Sequence, residues 1–248
     1  MRSRDLAWDG CLNVRDLGGL PTAGGGTTRF GQVVRADNVR RLTEAGWRSA
    51  RAYGVQRIVD LRSDSERAAD SVGADGFDVV TVPLLGPEDP DEARHHDDLT
   101  RRAPDDASAT AAFYLDALET RSEHVAAAVR AVARAPDGAV VVHCFVGKDR
   151  TGIIAALLLR LAGVPDDAVI QDYASSGLRI APLVDRWIEA VDDEHERAFR
   201  RRVSAAPAEG LRRVLAGVRD RWGGEEAYLL RAGVDLRDLE RTRARLVA

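Results

Sequence analysis

Helical and sheet patterns of apolar residues alternate through the first 150 positions of the chain. From Thr43 to Tyr53 the apolar residues recur at helical spacing, and Gly54 follows as a C-terminal cap. The stretch Arg57 to Arg62, RIVDLR, is the first with sheet character, so helix, turn and strand come in succession. A second apolar run, Val79 to Leu85, ends at Gly86-Pro87. The segment after it, PEDPDEARHHDDL, is dense in proline and acids, cannot support a packed element, and is expected to be a loop. Between Asp105 and Ala135, Ala112, Leu115, Leu118, Val125, Val129 and Val132 fall at helical spacing. This predicts two helices broken near Thr120 to Glu123, closed by the turn Pro136-Asp137-Gly138.

Ala139 to His143, AVVVH, is a β-branched run without alternation, as expected of a central strand covered on both faces. Thr151 to Leu161 is apolar nearly all round and reads as a buried helix; Pro165-Asp166-Asp167 opens another. Ile180 to Ala248 is helical in pattern, with breaks at Pro207 and Gly223-Gly224. Alternation of helix and strand through Arg150 implies an α/β fold, a mainly parallel central sheet flanked by helices, with an all-helical C-terminal third. No repeat, linker or charge block divides residues 1–248, which read as a single domain.

Composition narrows the function. With 45% hydrophobic residues in 248, the chain has ample material for a core. The formal net charge of -4 leaves no global positive field for nucleic acid or an anionic membrane, so any anion must be held locally. No window has the roughly 18 apolar residues of a spanning helix, and the N-terminus lacks the apolar core of a signal peptide. The expectation is a cytoplasmic protein, export without a signal staying open, with no stable membrane insertion; oligomeric state is not legible. Cys11 and Cys144 cannot make a disulfide framework or a zinc site, so each is weighed as a thiol, and Cys11 reads as inert.

The chemistry concentrates where AVVVH runs into Cys144-Phe-Val-Gly-Lys-Asp-Arg150-Thr151-Gly152 and on into a helix. Unpaired N-H groups at a helix N-terminus bind anions, and the helix dipole adds about half a positive charge. Arg150 can grip two phosphate oxygens with its planar fork. The same field favours the thiolate of Cys144, making it a nucleophile toward a phosphorus held by the loop amides and Arg150. Phe145, Val146, Gly147, Lys148, Thr151 and Gly152 complete the candidate phosphate-binding loop. Gly147 lets the backbone curl; Thr151 is expected to cap the helix and to turn its hydroxyl toward the sulfur. Lys148, the single lysine of the chain, is expected to add charge at the rim; a lysine in this place resembles phosphatases of inositol lipids, which implies a multiply charged substrate.

His143-Cys144-x5-Arg150-Thr151-Gly152 resembles the phosphate loop of cysteine-dependent protein tyrosine phosphatases. HCFVGKDRTG, Asn13-Val-Arg15-Asp16-Leu-Gly18-Gly19, IVDLRSDSE and YLLRAGVDLRDLERTRARLV are similar to the bacterial group that includes mycobacterial phosphatase B. The resemblance implies a phosphatase-like fold, a phosphocysteine on Cys144, no metal or other cofactor, and a phosphorylated protein or phosphoinositide as substrate. It also implies a helical lid, for which residues 180–216 are the matching region. The alternative is a phosphate-binding pseudophosphatase acting as a recognition module.

No tryptophan of this chain is followed by Pro-Asp, so the general acid does not sit on a Trp-Pro-Asp loop. Two aspartates qualify. Asp149 lies inside the loop, and Asp60, near the end of RIVDL, shares a sheet edge with Cys144 if the two strands run parallel. Asn13, Arg15 and Asp16 read as braces, His143 as a packing residue, His95-His96 as solvated loop, and Arg197 to Arg202 as a solvated helix face.

Overall fold

The computed structural model describes residues 2–69, 74 and 76–247. Five strands form one sheet: β1 (Arg15–Asp16), β2 (Val33–Ala36), β3 (Val55–Asp60), β4 (Asp78–Thr81) and β5 (Ala139–His143). Their order is β1-β2-β5-β3-β4, with β1 antiparallel and the remaining pairs parallel. Eleven α-helices flank it among the described residues. Ala36 and Asp60 both pair with His143, so β2, β3 and β5 end flush at one edge. In parallel sheets that edge is where ligands bind.

Adjacent residues of β5 face opposite ways, and each face meets its own core. Val140 and Val142 pack with Tyr114, Leu118, Val129, Ile154 and Leu158 from α4 (Asp106–Thr120), α5 (Ser122–Ala133) and α6 (Asp149–Leu161). Ala139 and Val141 pack with Trp8 and with Trp47 of α1 (Glu44–Ala52). Each large apolar side chain so buried contributes about 1.5–3 kcal/mol. All five residues of β5 are buried, as its unalternating pattern implied.

The expected helices are present. Thr43 caps α1 through the Gly46 N-H, and Gly54 leaves it at a positive φ. The break after Thr120 separates α4 from α5. The all-helical third comprises α7 (Asp166–Glu189), α8 (Glu194–Ser204), α9 (Ala208–Trp222), α10 (Glu225–Arg231) and α11 (Leu236–Leu246). Beyond the expected breaks at Pro207 and Gly223-Gly224, two more open at Asp193 and Asp235, whose side chains cap α8 and α11. Among the described residues no helix is long and apolar enough to cross a membrane.

Two readings need correction. Sheet structure begins before Arg57: β2, with Arg35 between apolar residues, is fully buried beside β5. Its arginine hides the strand from a hydrophobicity pattern, because the compensating charge is Asp172 on α7, 2.6 Å away. The acidic segment expected as loop contains α3 (Pro90–Arg102). Asp89 caps it, Pro90 occupies its first turn with Asp91 and Glu92, and Arg101 and Arg102 close it. These terminal signals complement the helix dipole, and packing against α4 supplies what the polar composition does not.

Candidate active site

Between β5 and α6 the chain forms a tight turn with Cys144 at its base, 1% exposed. The loop carbonyls are turned outward onto the protein. Phe145 O accepts from the Asn38 N-H at 3.1 Å, Val146 O from Asn13 Nδ2 at 3.0 Å, and Gly147 O from Asn13 Nδ2 at 3.1 Å and Arg35 Nη2 at 2.8 Å. No peptide bond among the described residues is cis, and a planar trans peptide sets its N-H opposite its C=O. The N-H groups of Val146, Gly147 and Lys148 therefore line the inside of the turn. Gly147 has φ +70°, and a Cβ there would lie 2.5 Å from Ala36 O, so neither this curl nor the approach to β2 admits a side chain.

The brace behind the loop is ionic and buried. Asp172 receives Arg15 Nε at 3.0 Å, Arg35 Nη1 at 2.6 Å and Arg4. Burial alone would raise its pKa, but Arg15, Arg35 and Arg4 together hold the carboxylate far below the ordinary range. Arg35, paired with Asp172, is aimed at Gly147 O. Asn13 and Arg15 thus brace the loop as well as the fold, while Asp16 accepts from the Gly18 and Gly31 N-H groups.

Arg150, in the first turn of α6, is held in a two-pronged pair by Glu66, with Nη1 to Oε2 at 2.5 Å and Nη2 to Oε1 at 2.7 Å. Glu66 is itself fixed by a capping box with Ser63 at the start of α2 (Asp64–Ala68). Burial disfavours the Arg150 charge, but the Glu66 hydrogen bonds and the nearby Cys144 and Glu66 push its pKa upward. A cleft of about 620 Å3 opens beside Arg150 and Asp149, lined further by Leu61, Glu66, Pro83 and Phe113.

The two candidate acids differ sharply. Asp60 does share the sheet edge with the loop, in register with His143. Its carboxylate is 1% exposed and engaged by Arg62, with Nε at 3.0 Å, Nη2 at 2.8 Å and the backbone N-H at 3.1 Å. Burial pushes its pKa up, but Arg62 and His143 outweigh this and hold it below the ordinary value. Asp149 is 29% exposed and lines the cleft; Tyr114 Oη donates to its Oδ1 at 3.0 Å, and Lys148 Nζ lies 3.2 Å away. His143 is fully buried, and burial lowers its pKa to about 4 despite Asp60 nearby.

Lys148 is 2% exposed, and its ammonium donates to Val203 O at 2.5 Å and Ala205 O at 2.8 Å. It ties the loop to the C-terminal end of α8 instead of standing at the rim. Thr151 lies inside α6, and Lys148 occupies the cap position, so the expected Thr151 cap is corrected. The Thr151 hydroxyl is buried with no partner among the described residues. Gly152 lets Tyr173 of α7 approach within 3.2 Å of where a Cβ would be. Phe145 is exposed and Val146 partly so. Within 180–216, α8 reaches the loop through Lys148, whereas Leu211 and Leu215 of α9 belong to the main core.

Elsewhere, Cys11 is partly buried, and burial, then Asp37, raises its thiol pKa strongly. His95 and His96 stand on α3, both Nε2 atoms against Asp116, at 3.0 and 3.3 Å. Arg200, Arg201 and Arg202 pair with Glu196, Glu194 and Asp106. Sequence reasoning missed Glu66, Arg35, Asp172 and Tyr114 as site residues. Only Glu66 carried a signal, as the last residue of the IVDLRSDSE stretch.

Comparison with known proteins gives the family and its relatives. A family model described as tyrosine phosphatase family matches residues 6–248. The chain is 32% identical to a tyrosine-protein phosphatase of Nostoc commune, over 86% of this chain and 73% of that protein. It is 28% identical to the triple specificity protein phosphatase PtpB of Mycobacterium tuberculosis, over 96% and 97% respectively.

Proposed function

The chain belongs to the tyrosine phosphatase family, and from that premise we propose that it hydrolyses phosphotyrosine in proteins through a phosphocysteine on Cys144. The observation that carries this reading is the loop whose Phe145, Val146 and Gly147 carbonyls are bonded outward, leaving its amides and Arg150 to surround a phosphoryl group above Cys144. The thiolate attacks phosphorus, forming S-P as the ester P-O bond breaks, and Asp149 gives its proton to the departing oxygen. Water then attacks phosphorus; its proton passes to Asp149, the S-P bond breaks, and inorganic phosphate leaves. Asp149 is preferred to Asp60 because it faces the cleft, whereas both Asp60 oxygens are held by Arg62. Glu66 sets the Arg150 fork, and the unpartnered Thr151 hydroxyl suits stabilisation of the sulfur as it is released.

The M. tuberculosis relative is named for triple specificity, which supports turnover of phosphoserine and phosphothreonine here as well. The same loop would accept a phosphomonoester on an inositol lipid. Residues 180–216, through α8, are proposed as the lid. The test is hydrolysis of p-nitrophenyl phosphate and a phosphotyrosine peptide in EDTA, with rapid quenching to trap a phosphate adduct on the Cys144 peptide. Cys144→Ser should lose several orders of magnitude in turnover; activity near wild type would remove the mechanism.

A further inference from the structure

The cleft that starts at Arg150 does not end in neutral surface. Its far wall is formed by Glu88, Asp89, Pro90 and Glu92, at the entry to α3. Of the five carboxylates that line the cleft, three have a cation: Glu66 has Arg150, Glu92 has Arg121, and Asp149 has Lys148. Glu88 and Asp89 do not. Glu88 Oε1 accepts from Ser65 Oγ, and Asp89 Oδ1 accepts from the Asp91 N-H at 2.8 Å; neither forms an ion pair among the described residues. Both line the cleft and both are exposed. The Ser63 and Ser65 hydroxyls hold the Glu88 carboxyl below its ordinary pKa, so it is charged at neutral pH.

A second observation concerns the loop's own lysine. The Lys148 ammonium is buried against Val203 O and Ala205 O, and so does not present its charge to a second phosphate. One end of the cleft thus fits a single phosphoryl group, and the other bears two carboxylates whose charge no side-chain cation offsets. Unpaired charge along a cleft raises the local concentration of ligands of opposite sign and repels those of like sign.

We infer that this wall sets substrate choice: the site takes a singly phosphorylated peptide with basic residues beside the phosphorylated side chain, and discriminates against multiply phosphorylated inositol headgroups. This deepens the phosphatase reading and rests on it, since it presumes the phosphoryl group sits at Arg150.

The test separates binding from turnover. Affinities for two peptides carrying a non-hydrolysable phosphonate analogue of phosphotyrosine, one flanked by lysines and one by glutamates, are read by fluorescence anisotropy on the full chain. The lysine peptide should bind about tenfold tighter at low ionic strength. The gap should shrink severalfold near 0.5 M salt, where the screening length falls to roughly 4 Å. In E88Q/D89N, which keeps both hydrogen-bond acceptors and the α3 cap, the gap should narrow to about threefold or less. Inositol 1,3-bisphosphate should compete more weakly than phenyl phosphate. Equal affinities, tighter binding of the glutamate peptide, a gap untouched by E88Q/D89N, or preference for the bisphosphate would each overturn the inference. Turnover of p-nitrophenyl phosphate by the wild type judges the phosphatase reading separately, because the affinity ratio is measurable without catalysis.

Discussion

Replacing Asp60 and Asp149 in turn by asparagine separates a structural carboxylate from a chemical one, and the structure sets the size of each effect. Asp60→Asn removes one charge of a fully buried pair that includes two charged hydrogen bonds, at 2.8 and 3.0 Å. Breaking such a pair costs about 3–5 kcal/mol. For a domain of this size each kcal/mol lowers Tm by about 2–4 °C, so a fall of roughly 6–20 °C is expected. Asp149→Asn disturbs a partly exposed group bonded to Tyr114 and Lys148, a loss of about 1 kcal/mol and a few degrees. The rates should follow the opposite order. Loss of a general acid lowers turnover by roughly a hundred- to ten-thousandfold where the leaving group needs a proton. Asp149→Asn should therefore reach that range on a phosphoserine peptide and lose much less on p-nitrophenyl phosphate, whose leaving group departs as a stable anion. Asp60→Asn, assayed well below its Tm, should lose similar factors on both esters. Calorimetry and paired steady-state kinetics on the two variants decide it. A larger serine-selective loss in Asp60→Asn than in Asp149→Asn would refute the assignment.

Three further outcomes are expected. Glu66→Gln weakens the two-pronged hold on Arg150 and should lower kcat/KM by about ten- to a hundredfold through misplaced guanidinium; unchanged kinetics would show that Arg150 orients itself. Gly147→Ala places a methyl 2.5 Å from Ala36 O at φ +70°; more than a hundredfold loss of turnover is predicted, and near-normal activity would mean the loop can rearrange. His143 binds its proton with a pKa of about 4 in the folded chain against about 6.5 unfolded, so its contribution is complete above pH 6.5 and is lost as pH falls toward 4. Urea denaturation should show about 3 kcal/mol less stability at pH 4 than at pH 7 from this group. The depressed carboxylates Asp60, Glu66 and Asp172 add their losses only below about pH 4. A flat profile between pH 7 and 4.5 would contradict the buried neutral imidazole.

Much of the fold and the centre of the candidate site could be read from neighbouring residues. β5, the loop from Cys144 to Gly152 and the buried helix α6 form one continuous stretch. Hydrophobic period, glycine placement and helix-terminus electrostatics all act within a few positions of each other. The C-terminal helices and the breaks at Pro207 and Gly223-Gly224 were legible for the same reason. Even α3 carries its start signals at Asp89-Pro90, and there capping outweighs a composition that is typical of loops.

Whatever depends on distant partners belonged to the tertiary structure alone. Arg35 is an unremarkable arginine until Asp172, 137 residues away, makes it a buried strand residue that grips Gly147 O. Glu66 meets Arg150 across 84 residues. Lys148 reads as a rim cation until α8, 55 residues on, covers it. Asp60 and Asp149 were equal candidates because residue type and sheet edge are common to both; Arg62 and the open cleft distinguish them. A charge takes its role from what surrounds it in space, since desolvation and pairing decide whether it braces, binds or transfers a proton. Local pattern determined where the phosphate loop would form; only packing decided which charges serve it and which are sealed away.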